Sequence, residues 1–146
     1  MNRRKLKLAL EAIDTIYRTL PVVDCKGLCT DTCGPIPMSK AEYLRMVAAG
    51  ATPAVKDGRC TNLVDGRCSS YDERPGICRL FGGVDNPLMV CPHGCKVTNG
   101  PMNSDQGGLV LSMLTKIGGG VKMHPTAKAV FDLVAAAEIR PKVGGS

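Results

Sequence analysis

Eight cysteines in a chain of 146 residues constrain this fold more than any other feature. They fall into three groups: Cys25, Cys29 and Cys33; Cys60, Cys68 and Cys78; Cys91 and Cys95. Three of the gaps, 25/29, 29/33 and 91/95, leave three residues between cysteines. Two thiolates converge on one ion only where the intervening chain turns back quickly, and spacings of about two to four residues allow this. Gly27, Gly34, Pro92 and Gly94 supply turns beside these pairs.

The rest of the composition says why such a chain needs cross-links. Its length suits one domain and is short for two well-cored ones. It has 2 Phe, 3 Tyr and no Trp. The 44% hydrophobic content includes the cysteines. Without them roughly 56 apolar residues remain, few of them large. A core of that kind is short of burial unless metal or disulfides tie its loops together.

The compartment decides between those two. A secretory signal needs an apolar stretch of about 7 to 15 residues behind a basic start. Here Glu11, Asp14 and Arg18 interrupt it. The expected location is therefore cytoplasmic, where thiols stay reduced. Eight cysteines then read as metal ligands or redox groups, with a disulfide scaffold as the competing reading. Soft sulfur selects zinc, copper(I) or iron–sulfur clusters. Zinc asks for close ligand pairs in a tetrahedral set. An iron–sulfur cluster uses a close trio plus a distant cysteine, which Cys25, Cys29 and Cys33 could begin. The expected cofactor is zinc or an iron–sulfur cluster, in one or two sites. His93, between Cys91 and Cys95, could be a ligand, donate a hydrogen bond to cluster sulfur, or stand as an exposed turn imidazole. His124, before Pro125, reads as a helix-cap residue.

The expected fold is mainly α with irregular loops, one metal-stapled domain over 1–146 with little β-sheet. About four helices pack a cysteine-rich loop core spanning 25–95. An amphipathic helix at 4–20 carries Leu6, Ala9/Leu10, Ile13, Ile16/Tyr17 and Leu20 on one stripe and stops at Pro21. Packing on the domain is its simple role; a membrane-surface or partner helix is the alternative. Ser39 and Glu42 form a capping box for a second helix, with Met38 and Tyr43 placed as a hydrophobic staple and Gly50 as terminator. Short strands are expected around 59–63 and 77–81. The helical C-terminal part, 104–139, starts at a Ser104 or Asp105 cap and breaks at Gly118-Gly119-Gly120. It resumes at Pro125 through Val130, Phe131, Val134 and Ala137. No apolar run approaches the length of a membrane span, about 18 residues.

Formal net charge is +6. Arg3, Arg4, Lys5 and Lys7 supply +4 of it, and the part from Lys116 onward another +3, so residues 8–115 carry −1. Eight thiolates holding two zinc ions would contribute −4 and lower the total to +2. The cysteine-bearing centre is thus not basic. Nor is there the aromatic-and-basic interleaving that nucleic-acid strands favour.

The run Cys60-Thr-Asn-Leu63-Val-Asp-Gly-Arg-Cys68-Ser-Ser-Tyr71-Asp-Glu-Arg74-Pro75-Gly-Ile-Cys78-Arg79-Leu-Phe81 is distinctive. It resembles the zinc- or iron-chelating cysteine-cluster proteins, the YkgJ family, through Leu63, Tyr71, Arg74, Pro75, Cys78, Arg79 and Phe81. The first cluster differs: where the family carries two adjacent cysteines, Cys33 is followed by Gly34. The resemblance implies a metal-chelating domain, sometimes attached to enzymes such as protein lysine methylases. On the residues themselves, Tyr71 and Phe81 are two of only five aromatics and are expected to cover the metal loops. Arg74 and Arg79 are expected to offset thiolate charge or, alternatively, to bind an anion.

The reading is a metal-binding cysteine-cluster protein acting as a structural or partner-binding module, with a protein partner expected. An iron–sulfur redox or electron-transfer protein and a metal-ordered nucleic-acid binder are the alternatives. No nucleophile–base pair and no phosphate-binding glycine loop stands in the chain, so no catalytic residue is assigned and enzyme activity stays open.

Overall fold

The structure is a computed structural model; it describes residues 1–24, 37–51, 55–56, 59–65, 67–91 and 94–122. Three longer helices form its frame. Helix α1 (Arg3–Tyr17) starts where Asn2 Oδ1 accepts the Lys5 N–H at 2.8 Å. It ends three residues short of the expected position 20. The residue before a proline is pushed out of the α region, so the chain leaves the helix ahead of Pro21. Leu20, released from the helix, is buried in a second core cluster.

Strand β1 (Val22–Val23) follows, then β2 (Met38–Ser39) and α2 (Lys40–Ala48). Both halves of the expected capping box are present: Glu42 N–H donates to Ser39 Oγ, and Ser39 N–H donates to Glu42 Oε2 at 2.8 Å. Strands β3 (Val55–Lys56) and β4 (Arg59–Cys60) pair antiparallel, as do β5 (Leu63–Val64) and β6 (Arg67–Cys68). A 3-10 turn at Tyr71–Glu73 leads into α3 (Gly76–Leu80).

The expected strand at 77–81 is therefore a helix. A short apolar run fits either element, and Pro75 decides for the helix. Its carbonyl accepts from both Cys78 N–H and Arg79 N–H, at 3.0 and 3.2 Å. Strand β7 (Val84–Asp85) runs parallel to β9 (Met102–Asn103), and β8 (Val97–Thr98) lies between them in sequence. Helix α4 (Ser104–Ile117) is capped by Asn103 with Gln106, one residue before the expected Ser104. The helix expected from Pro125 lies outside the described residues.

The end of α4 meets the start of α2. After α4 the chain turns through Gly118, Gly119 and Gly120 into β10 (Val121–Lys122), which pairs with β2. Lys40 N–H and Ala41 N–H, two donors that a helix start leaves unpaired, bond the carbonyls of Gly120 and Gly118 at 2.8 and 2.9 Å. Only glycine fits at 118, because a Cβ would overlap Ser39 and lie 2.8 Å from the Leu114 carbonyl oxygen. The glycine triplet is a docking seam for α2.

One core cluster joins the three long helices through Ala9, Ile13, Ala41 and Leu114. The other joins the end of α1 to α3 and β7 through Leu20, Leu80 and Val84. Ile16 and Tyr17 pack against both. Each fully buried aliphatic side chain here is worth about 1.5–3 kcal/mol of burial. Among the described residues the fold is helical with two-residue ladders and irregular loops, and no helix is long and apolar enough to cross a membrane.

Candidate metal centre

Five of the eight cysteines are described, and all five are half-buried: Cys60, Cys68, Cys78, Cys91 and Cys95. Cys25, Cys29, Cys33, His93 and His124 lie outside the described residues. Among the described residues no disulfide joins two cysteines, and no three candidate ligands converge on one point. What the described chain provides is two partial sites.

The first is Cys60 with Cys68. Two consecutive hairpins place them, one at the end of β4 and one at the end of β6. The second hairpin pairs Leu63 with Cys68 and Val64 with Arg67. Asp65 takes φ +50° at its turn, a conformation that Asp tolerates better than most residues. Ser69 closes the ladder, its N–H and Oγ both donating to the Asn62 carbonyl at 2.7 and 2.8 Å. Burial pushes the Cys60 thiol up from its ordinary value. The backbone N–H of Asn62 opposes this, the sulfur of Cys68 adds to it, and the N–H of Leu63 opposes it again.

These effects describe a sulfur held by two N–H donors and close enough to a second sulfur to feel its charge. N–H donors favour thiolate, whereas two thiolates repel. A thiophilic cation between the sulfurs removes the repulsion and keeps the donors useful, so the donor set fits zinc or iron.

The second partial site lies where the cysteine region starts and stops. Strand β1 pairs with β8 in the register Val22 with Thr98 and Val23 with Val97. Asp24 N–H extends the ladder by donating to the Lys96 carbonyl at 2.8 Å. The residue before the first cysteine group is thereby tied to the residue after Cys95. Gly82 sits inside this junction, with Cys91 Cβ and Val23 Cγ1 each 3.3 Å from where its Cβ would be. Its N–H donates to the Met89 carbonyl at 2.6 Å. Cys78 lies on α3, just before this glycine turn.

The arginines of the distinctive run hold backbone and rings. Arg74 donates from Nε to the Tyr71 carbonyl at 2.8 Å, and its guanidinium lies 3.7 Å from the centre of the Tyr71 ring. Tyr71 is itself 44% exposed, while Phe81 is half-buried. Arg79 donates to the carbonyls of Arg74 and Asp72, both at 2.8 Å, and stands 4.1 Å above the Tyr17 ring. A planar fork with several donors suits this double task better than an ammonium would.

Sequence reasoning missed the group beneath Arg79. Tyr17 OH donates a short hydrogen bond to Glu42 Oε1. The same oxygen accepts Gly76 N–H at 2.7 Å, and Glu42 is only 3% exposed. One buried carboxylate thus joins α1, α2 and the first residue of α3. The capping box marked Glu42 as a first-turn residue; nothing in its spacing marked the second oxygen's partners.

No curated protein and no solved structure matches the chain. A family model described as "CxxCxxCC: Putative zinc- or iron-chelating domain" matches residues 24–96. Its limits fall on Asp24 and Lys96, the two residues that the ladder beside β1 and β8 joins. The match covers half of the 146 residues and fits the YkgJ resemblance of the Cys60 to Phe81 run, so the chain belongs to this zinc- or iron-chelating family.

Proposed function

We propose that this protein binds zinc or iron through cysteine thiolates, and that the ion holds its irregular loops in one arrangement. The carrying observation is the pair of consecutive hairpins that ends in Cys60 on β4 and Cys68 on β6, inside the stretch that the zinc- or iron-chelating family model matches. Cys60 and Cys68 would begin one site. Cys91 and Cys95, at the junction where Asp24 is tied to Lys96, would begin another. Bound there, the ion supplies charge neutralisation and a cross-link; the chain's residues supply the sulfur donors and the hydrogen bonds to them. Structural metal sites contribute folding free energy directly, which suits loops built from two-residue strands.

The test is metal analysis of the full chain purified without oxygen, combined with alkylation of its thiols. The expected result is at least one zinc or iron per chain, with ligand cysteines slow to alkylate until a chelator is added. Visible absorption separates iron from colourless zinc. Cys60→Ser and Cys68→Ser are expected to lower the metal content together. Protein that holds no metal and alkylates fully at once would overturn the proposal.

A further inference from the structure

The buried carboxylate of Glu42 has more contacts than a helix cap requires. Its Oε2 completes the capping box with Ser39 N–H at 2.8 Å. Its Oε1 does something else: it accepts from Tyr17 OH on α1 and from Gly76 N–H, the first residue of α3, at 2.7 Å. Position 76 is shaped for this approach. A Cβ there would overlap Leu114 Cδ1 and stand 3.2 Å from Glu42 Oε1. Two residues further along α3 is Cys78, and its own N–H returns to the Pro75 carbonyl at 3.0 Å.

The other side of Cys78 is tied to the same group. Arg79, the next residue, lies 4.1 Å above the Tyr17 ring. It reaches back to the Asp72 and Arg74 carbonyls. Arg45 of α2 stands 5.9 Å from the same ring and pairs with Asp14 of α1 at 2.8 Å, so α2 is fastened to α1 beside the tyrosine. Cys78 therefore sits on a one-turn helix fastened before it through Glu42 and after it through Tyr17. A helix of five residues has little stability of its own. Its orientation is set by these two attachments.

We infer that Glu42 and Tyr17 are positioning residues for Cys78, holding its helix in place ahead of metal capture. The inference rests on the reading of Cys78 as a ligand. It extends that reading to two side chains far from Cys78 in sequence. Hydrogen-bond partners that orient a ligand commonly contribute about 10- to 100-fold to metal affinity. Tyr17→Phe keeps the ring under Arg79 and removes one donor to Glu42. Glu42→Gln keeps the size but places an amide where one of three donors needs an acceptor.

The experiment uses the full chain with zinc and cobalt(II) as probes. Zinc affinity is read by competition with a chromophoric chelator, and the cobalt(II) thiolate and ligand-field bands report the ligand set. Measurements are made at a temperature where circular dichroism shows each metal-free variant as folded as the parent. Tyr17→Phe and Glu42→Gln are expected to bind the same number of ions, with affinity about tenfold lower and altered cobalt ligand-field bands. Cys78→Ser is expected to change the thiolate bands themselves. Unchanged affinity and bands in both Tyr17→Phe and Glu42→Gln would overturn the positioning role. Unchanged bands in Cys78→Ser would overturn the ligand assignment beneath it. A parent chain that takes up neither ion would instead sink the metal-binding reading as a whole.

Discussion

Replacing Gly76 by alanine tests the packing that brings α3 to the helical frame. The new methyl would overlap Leu114 Cδ1, lie 3.6 Å from Leu114 Cγ and stand 3.2 Å from Glu42 Oε1. Leu114 is 2% exposed and belongs to the cluster with Ala9, Ile13 and Ala41, so it has little room to yield. Two relaxations are open. Leu114 can leave its rotamer and disturb the cluster, an overpacking cost of about 1–3 kcal/mol. Alternatively α3 can lift, stretching the 2.7 Å bond from Gly76 N–H to the carboxylate. A hydrogen bond to a charged group is worth about 1.5–3 kcal/mol, so rearranging Leu114 is the cheaper response.

Against this, alanine gains at most about 1 kcal/mol in helix propensity over glycine. The net destabilisation is about 1–2 kcal/mol, or roughly 3–7 °C in Tm for a domain of this size. Urea unfolding followed by circular dichroism, at a fixed metal load, measures it. Leu114→Val removes the clashing terminal carbon, so a double-mutant cycle should show the two changes partly cancelling, by about 1 kcal/mol. Gly76→Ala within about 0.5 kcal/mol of the parent, together with an additive cycle, would refute the packing argument.

Other perturbations follow from the same frame. Leu114→Ala should cost about 2–5 kcal/mol in denaturant unfolding, because the cavity opens where α1, α2 and α4 meet. Asn103→Ala removes the side-chain acceptor for Gln106 N–H, one half of the α4 capping box, and should cost about 1 kcal/mol, read from the unfolding midpoint. Burial, and after it the neighbouring Glu42 carboxylate, holds the Tyr17 phenol above its ordinary value. A raised value means stability that is complete below the unfolded tyrosine range, about pH 10, and lost as pH climbs above it. Unfolding free energies at pH 8 and pH 11 should therefore diverge more for the parent than for Tyr17→Phe; equal divergence would count against the buried phenol.

The helical frame was legible in the sequence because its signals are local. Ser39 and Glu42 stand three apart, and the apolar stripe of α1 repeats at helical spacing. Gly118 to Gly120 interrupt a run that could otherwise continue. The 77–81 run was misread because five residues of mixed apolar character carry no period; only Pro75 and the long-range bond from Gly76 to Glu42 make it helical. Sulfur proximity was harder still. Cys60 and Cys68 are too far apart for the close-pair rule, and it is the antiparallel pairing of β5 with β6, on either side of the sequence Asp65-Gly66, that folds the chain back. That Asp-Gly pair between Leu63-Val64 and Arg67-Cys68 was the available signal. The Tyr17–Glu42–Gly76 group had none, since its members come from three separate elements and each has an ordinary local role.

The short ladder of β1 with β8 has an entropic consequence. Bringing together the ends of a flexible loop of about 70 residues costs about 4 kcal/mol in the simplest chain statistics. Asp24 and Lys96 are already joined by backbone bonds, and Leu20, Leu80 and Val84 hold the chain behind them. An ion arriving at the cysteines meets a ring instead of an open chain. The freedom lost on capture is then that of the shorter arcs inside the ring, so more of each metal–sulfur bond remains as affinity.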